Sequence, residues 1–122
     1  MSTLPHQIRL IGGQWKRTRL GVPGMPGLRP TPDRVRETLF NWLGQDLAGW
    51  RALDAFAGTG ALGLEAASRG AQSVLLVEQD ARLAAALRQH QQRLSASAVQ
   101  VLRGDGVAAL HSQPAGSLDV VF

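Results

Sequence analysis

The sequence contains no cysteine, which excludes disulfide staples and thiolate metal sites together. Its three histidines, His6, His90 and His111, lie too far apart in the chain to suggest a metal cluster. Solvent-facing positions are expected for all three, and no metal is expected. No apolar run approaches the length of a transmembrane helix. The opening Met1-Ser2-Thr3-Leu4-Pro5-His6 lacks the charged and apolar regions of a signal peptide, so a cytoplasmic protein without a membrane partner is expected. Lysine is nearly missing too, with Lys16 standing alone against twelve arginines. Such an excess favours bidentate forks onto phosphate, although a GC-rich coding bias would produce it as well. What remains is a chain of 122 residues, 44% apolar, enough for one domain with its own core.

The positive charge is unevenly placed. Residues 1–51 hold eight basic side chains against three acidic ones, whereas residues 52–122 hold five against six. A basic arm therefore precedes a nearly neutral remainder, a footprint that suits docking on a phosphate backbone and equally suits a merely solvated face.

Leu53-Asp54-Ala55-Phe56-Ala57-Gly58-Thr59-Gly60-Ala61-Leu62-Gly63 reads as a buried strand running through a glycine turn into a helix. The spacing G-x-G-x-x-G permits a tight turn, then close approach of backbone to a ligand, then close packing of helix on strand. Asp54 falls at the carboxyl end of the strand, where open parallel sheets bind ligands. A pyrophosphate would be repelled there, while the ammonium and sulfonium of S-adenosylmethionine would not. Glu78 closes the next strand, eighteen positions after Gly60, where an acid can accept hydrogen bonds from both ribose hydroxyls. That spacing is shared with NAD-binding folds, so only Asp54 discriminates between the two cofactors.

Ile8-Arg9-Leu10-Ile11 and Gln14 to Leu20 alternate in polarity around Gly12-Gly13, which predicts a β-hairpin with Arg9, Lys16 and either Arg17 or Arg19 pointing outward. Trp15 fits either hairpin packing or a stack on an unpaired base. Gly21 to Pro32 is a glycine- and proline-rich linker or lid. Thr31 as N-cap and Pro32 at the first position then predict a helix to Leu43, with Val35, Leu39, Trp42 and Leu43 as its buried stripe. Arg34, Glu37 and Asn41 form the wet face, with Arg36 to one side. Arg29 beside that helix start makes an anion site suited to the methionine carboxylate or an RNA phosphate. Strands at 51–56, 73–77 and 99–103 alternate with helices from Ala61, after Asp80 and at 107–111. Leu83, Leu87 and Leu94 are the expected stripe of the second of these helices. Asp105 can serve the adenine amino group or cap the short helix after it, and both readings stand. A fourth strand begins at Leu118. The alternation predicts an α/β fold with a parallel sheet and helices on both faces. A last strand with no following helix would leave an open edge, so a piece of a longer protein is expected.

Leu28-Arg29-Pro30-Thr31-Pro32-Asp33-Arg34-Val35-Arg36-Glu37-Thr38-Leu39-Phe40-Asn41-Trp42-Leu43, with the stretch from Leu53 to Ala66 and the opening Ile8 to Trp15, closely resembles the RsmD family. These are bacterial methyltransferases acting on a guanine exocyclic amine in small-subunit ribosomal RNA. The resemblance implies a Rossmann-like class I methyltransferase domain over residues 32–122, incomplete as it stands, preceded by a basic hairpin and linker over residues 1–31. It implies that Asp54, Phe56, Gly58 and Gly60 line the methionine end of S-adenosylmethionine, Glu78 the ribose and Asp105 the adenine, with Thr59 counted among them. Arg9, Lys16, Arg17, Arg19 and Arg29 would meet the RNA, free or in an assembled small-subunit particle. The family's Asp- or Asn-Pro-Pro-aromatic motif is expected just after Phe122, which leaves no catalytic residue to assign within these residues. An NAD-dependent oxidoreductase and an RNA- and cofactor-binding piece without catalysis are the alternatives.

Overall fold

The computed structural model describes residues 7–25, 28 and 31–122. Strands β1 (Gln7–Arg9) and β2 (Arg19–Gly21) pair antiparallel with Ile8 opposite Leu20. Helix α1 (Asp33–Leu43) leads to a parallel sheet made of β3 (Arg51–Asp54), β4 (Ser73–Glu78), β5 (Val99–Arg103) and β6 (Val120–Val121). Helices α2 (Ala61–Ser68), α3 (Ala81–Leu94) and α4 (Gly106–His111) connect these strands.

The strand order is β5-β4-β3-β6. Side chains alternate across the sheet with period two. Ala52, Val74 and Leu76 pack with Leu64 of α2 and Leu87 of α3, whereas Leu53 and Val77 pack with Ala109 of α4. Helices therefore cover both faces, as the alternation of apolar strands and helices requires. The chain steps outward from β3 to β4 to β5, then returns to set β6 against the other side of β3. This reversal makes the carboxyl end of β3 the switch point of the sheet, where such folds open a ligand crevice.

Asp80 caps α3 by accepting hydrogen bonds from the Arg82 and Leu83 amides at 2.9 and 3.0 Å. Helix α1 departs from expectation at both its start and its face. Pro32, not Thr31, occupies the N-cap position, and no side chain caps the helix. Its buried residues are Arg36 and Phe40, while Val35 is 53% and Trp42 81% exposed. Leu39 and Leu43 of the predicted stripe do pack partly buried on the core, but Arg36 and Phe40 take the buried places expected of Val35 and Trp42, because Arg36 finds a buried carboxylate, described below.

The hairpin is also shorter than its alternating polarity suggests. Residues between Leu10 and Thr18 leave the ladder because they dock on the last turn of α2: the Gln14 amide donates to the Ser68 carbonyl at 2.8 Å and the Trp15 amide to Ser68 Oγ at 3.1 Å. Trp15 itself packs partly buried against the core. His90 is buried rather than solvent-facing. Burial pushes its imidazole pKa down, against the pull of a hydrogen bond with the Gly21 backbone, as the hairpin lies on this part of α3. Arg93, one turn on, donates to the Arg19 carbonyl at 3.0 Å.

Candidate functional site

A small cleft of about 100 Å³ opens at the switch point, lined by Thr31, Asp54, Phe56, Ala57, Gly58, Thr59, Ala61 and Leu62. The glycine turn builds it. Gly60 has a φ of 85°, and a Cβ there would stand 2.6 Å from Leu87 Cδ2. A Cβ on Gly63 would stand 2.2 Å from Leu76 Cδ2, so this glycine brings α2 down onto β4. Thr59 is buried, with Oγ1 accepting from the Ala61 amide at 3.2 Å. Glu78 braces the turn from the neighbouring strand: one oxygen accepts from the Gly58 amide at 2.8 Å and the other from the Asp80 amide at 2.9 Å.

Asp54 is 2% exposed and accepts from the Gly63 amide at 3.1 Å. Burial drives its carboxyl pKa up to about 6, with the Gly63 and Phe56 backbone amides opposing the rise and the Glu78 charge adding to it. Among the described residues no basic side chain pairs with it. Phe56, two residues on, is 71% exposed at the cleft mouth. Asp105 is exposed at the end of β5, accepting from the Val107 amide at 2.9 Å as the N-cap of α4, with its second oxygen open for another partner. The cleft thus gathers Asp54, Phe56, Gly58 and Thr59; Glu78 reaches it through Gly58, Gly60 backs it, and Asp105 follows β5 beside Gly106, where a Cβ would stand 1.9 Å from the Ala55 carbonyl oxygen.

Beside the cleft lies a buried ion network. Glu65 of α2, fully buried, accepts from the Ile11 and Gly12 amides at 2.9 Å each, from Arg69 Nε at 2.9 Å and from Arg36 Nη1 at 3.2 Å. Arg36 also donates to the Arg9 carbonyl at 2.7 Å, to the Thr31 carbonyl at 3.3 Å and to Asp33 at 2.5 Å. Arg69 lies 4.9 Å over the Phe40 ring and donates to Gln45. Of the expected RNA-facing cations, Arg9, Lys16, Arg17 and Arg19 are exposed. Arg9 pairs with Asp33 at 2.8 Å, and Arg17 takes a left-handed φ of 72°. Arg29 lies outside the described residues.

Residues 8–122 match the family described as conserved hypothetical protein 95. Ribosomal RNA small subunit methyltransferase D of Escherichia coli strain K12 is 47% identical over 116 residues, which are 95% of this chain and 58% of that protein. The chain belongs to this RsmD family. The Haemophilus influenzae protein of the same name is 46% identical over 94 residues, covering 77% of this chain and 49% of its own length. Among solved structures, the yhhF protein of E. coli superposes with a TM-score of 0.84 at 45% identity, over 96% of this chain and 63% of that one. The present RsmD-family chain therefore spans about half to three fifths of the length of the curated relatives it matches.

Three residues of this RsmD-family site were given no part in it by the sequence reading. Thr31 enters the cleft wall, although the sequence marked it only as a helix cap. Arg36 was hidden because Val35-Leu39-Trp42 offered a more apolar stripe on the same helix. Glu65 did leave a signal: it is the single charge in Ala61-Leu62-Gly63-Leu64-Glu65-Ala66-Ala67-Ser68, and a lone acid in an otherwise apolar buried helix must find a cation or donors.

Proposed function

We propose that this chain is the cofactor-binding part of an S-adenosylmethionine-dependent methyltransferase that modifies the exocyclic N2 amine of a guanine in small-subunit ribosomal RNA, free or in an assembled particle. The observation that carries the reading is the 47% identity, across 95% of the chain, to a relative named ribosomal RNA small subunit methyltransferase D. It runs through the hairpin, α1 and the glycine turn alike. Such a substrate places the protein in the cytoplasm.

The residues present fit this cofactor. Asp54 is a desolvated carboxylate lacking a cation, at the end of the central strand, which favours an ammonium or sulfonium and opposes the pyrophosphate of NAD. The cofactor supplies a methyl group on a good leaving group, so the protein's contribution is alignment and exclusion of water. Asp54 and the glycine-turn amides would orient the methionine end, Thr31 and Phe56 would wall the mouth, and Glu78 would hold the turn in place while facing the ribose side. A guanine must leave its stack to reach such a cleft.

Calorimetric titration with S-adenosylhomocysteine and with NAD tests the assignment, and only the former should bind. Ionised Asp54 is the binding form, so the dissociation constant for S-adenosylhomocysteine should rise about tenfold between pH 7.5 and pH 5, through the carboxyl pKa of about 6. A flat profile, or heat evolved with NAD alone, would remove the cation-binding role. For RNA, the logarithm of the association constant should fall linearly with the logarithm of salt. Neutralising any one of Lys16, Arg17 or Arg19 should reduce the slope by roughly 0.7–0.9. Unchanged slopes in all three variants would show these cations to be merely solvated.

A further inference from the structure

We propose that Arg36 is a positioning residue that couples RNA held on the hairpin to cofactor held in the cleft, an inference that rests on the reading of those two sites given above. Arg36 is 1% exposed, yet its guanidinium reaches three separate parts of the chain. It holds the Arg9 carbonyl of β1 at 2.7 Å, the Thr31 carbonyl at the cleft wall at 3.3 Å and Glu65 of α2 at 3.2 Å. The planar fork of arginine serves three such acceptors at fixed angles, which the point charge of lysine does not.

Asp33 makes this arrangement responsive. One of its oxygens holds Arg36 Nη2 at 2.5 Å and the other holds Arg9 Nη2 at 2.8 Å. Arg9 is half exposed and sits opposite Arg19 in the hairpin register. A phosphate that takes the Arg9 guanidinium leaves Asp33 to Arg36 alone. Asp33 is the first residue of α1 and Thr31 stands two residues before it. A tighter Asp33–Arg36 pair therefore orders the start of α1 and the cleft wall before the cofactor arrives, and ordering done by one ligand need not be repeated by the next. The coupling is positive and reciprocal.

The experiment is equilibrium dialysis of labelled S-adenosylhomocysteine against the chain, with and without a saturating unmodified small-subunit ribosomal RNA transcript. RNA should tighten cofactor binding by about fivefold or more, the lower end of measured couplings. Arg36→Lys, which keeps a charge for Glu65, should bind both ligands with a ratio near one. Asp33→Asn breaks the same chain of contacts from a half-exposed position, and it keeps the test open should Arg36→Lys fail to fold. Arg34→Lys, exposed on the same helix, should keep the wild-type ratio. A purely structural Arg36 would lower the melting temperature without moving that ratio. Wild-type protein that binds both ligands independently, or an Asp33→Asn variant that retains full coupling, overturns the inference and leaves the cleft assignment standing. Absence of cofactor binding removes both.

Discussion

Glu65→Gln should lose about 3–5 kcal/mol of folding stability, the cost typical of removing one partner from a buried ion pair. The carboxylate is fully buried and accepts four hydrogen bonds, two from backbone amides of the amino-terminal loop and two from arginines that are themselves buried. Glutamine keeps the volume but presents a donor where an acceptor is needed and withdraws the charge facing Arg36 and Arg69. Arg36 would retain Asp33, and Arg69 would retain Gln45 and the Phe40 ring, which is why the loss should not exceed that range. Domains of this size are stable by roughly 5–15 kcal/mol in total, so the urea midpoint should collapse. Replacing Glu65, Arg36 and Arg69 together with apolar residues of similar volume should recover much of the loss, since buried ion clusters often exceed their hydrophobic counterparts only in specificity. A midpoint within experimental error of wild type for Glu65→Gln would show that water reaches this network.

Asp54→Asn should move stability and binding in opposite directions. The Asp54 carboxyl titrates at about 6 in the folded chain against an ordinary value of 3.8. Protonation is thus favoured by folding: the contribution of this group is fully present below pH 3.8 and disappears as pH rises through 6. At pH 7.5 the buried charge costs the folded state about 3 kcal/mol at most. Asparagine can keep the hydrogen bond from the Gly63 amide without that cost, so the ligand-free variant should be more stable than wild type at pH 7.5 and no more stable at pH 3.5. Affinity for S-adenosylhomocysteine should meanwhile fall by one to two decades, the equivalent of a charged hydrogen bond worth roughly 1.5–3 kcal/mol. Thermal melts at both pH values and one binding isotherm decide it. Wild-type affinity in the variant would mean that Asp54 serves only to hold Gly63.

The α/β architecture was legible because its signals are local. Asp54, the glycine turn and Asp80 each announce a strand end or a helix start within a few residues, and the structure sets Gly60 and Gly63 where close packing admits no side chain. What escaped depends on partners far away in the chain. Arg36 is buried by Glu65 and His90 by the hairpin at Gly21, contacts that span tens of residues and that a helical wheel does not contain. Asp105 shows both sides: the capping alternative was readable from one strand end, and the structure makes that bond. Trp42 was misjudged for the reverse reason, since its spacing fits a stripe of which the fold covers Leu39 and Leu43 and leaves Val35 and Trp42 open.

The docking of residues 11–15 onto the end of α2 also sets an order of events during synthesis. The Gly12 amide and Glu65 are separated by 53 residues, and Ser68 stands 56 beyond Gly12. At elongation rates of about 5–20 residues per second, the basic amino-terminal arm waits roughly 3–10 seconds before its acceptors have been made. During that interval Arg9, Lys16, Arg17 and Arg19 belong to a nascent chain whose docking surface on α2 has not yet been made. The β1–β2 ladder, which needs only residues 7–21, can pair in that time, whereas the docking of residues 11–15 must wait for α2.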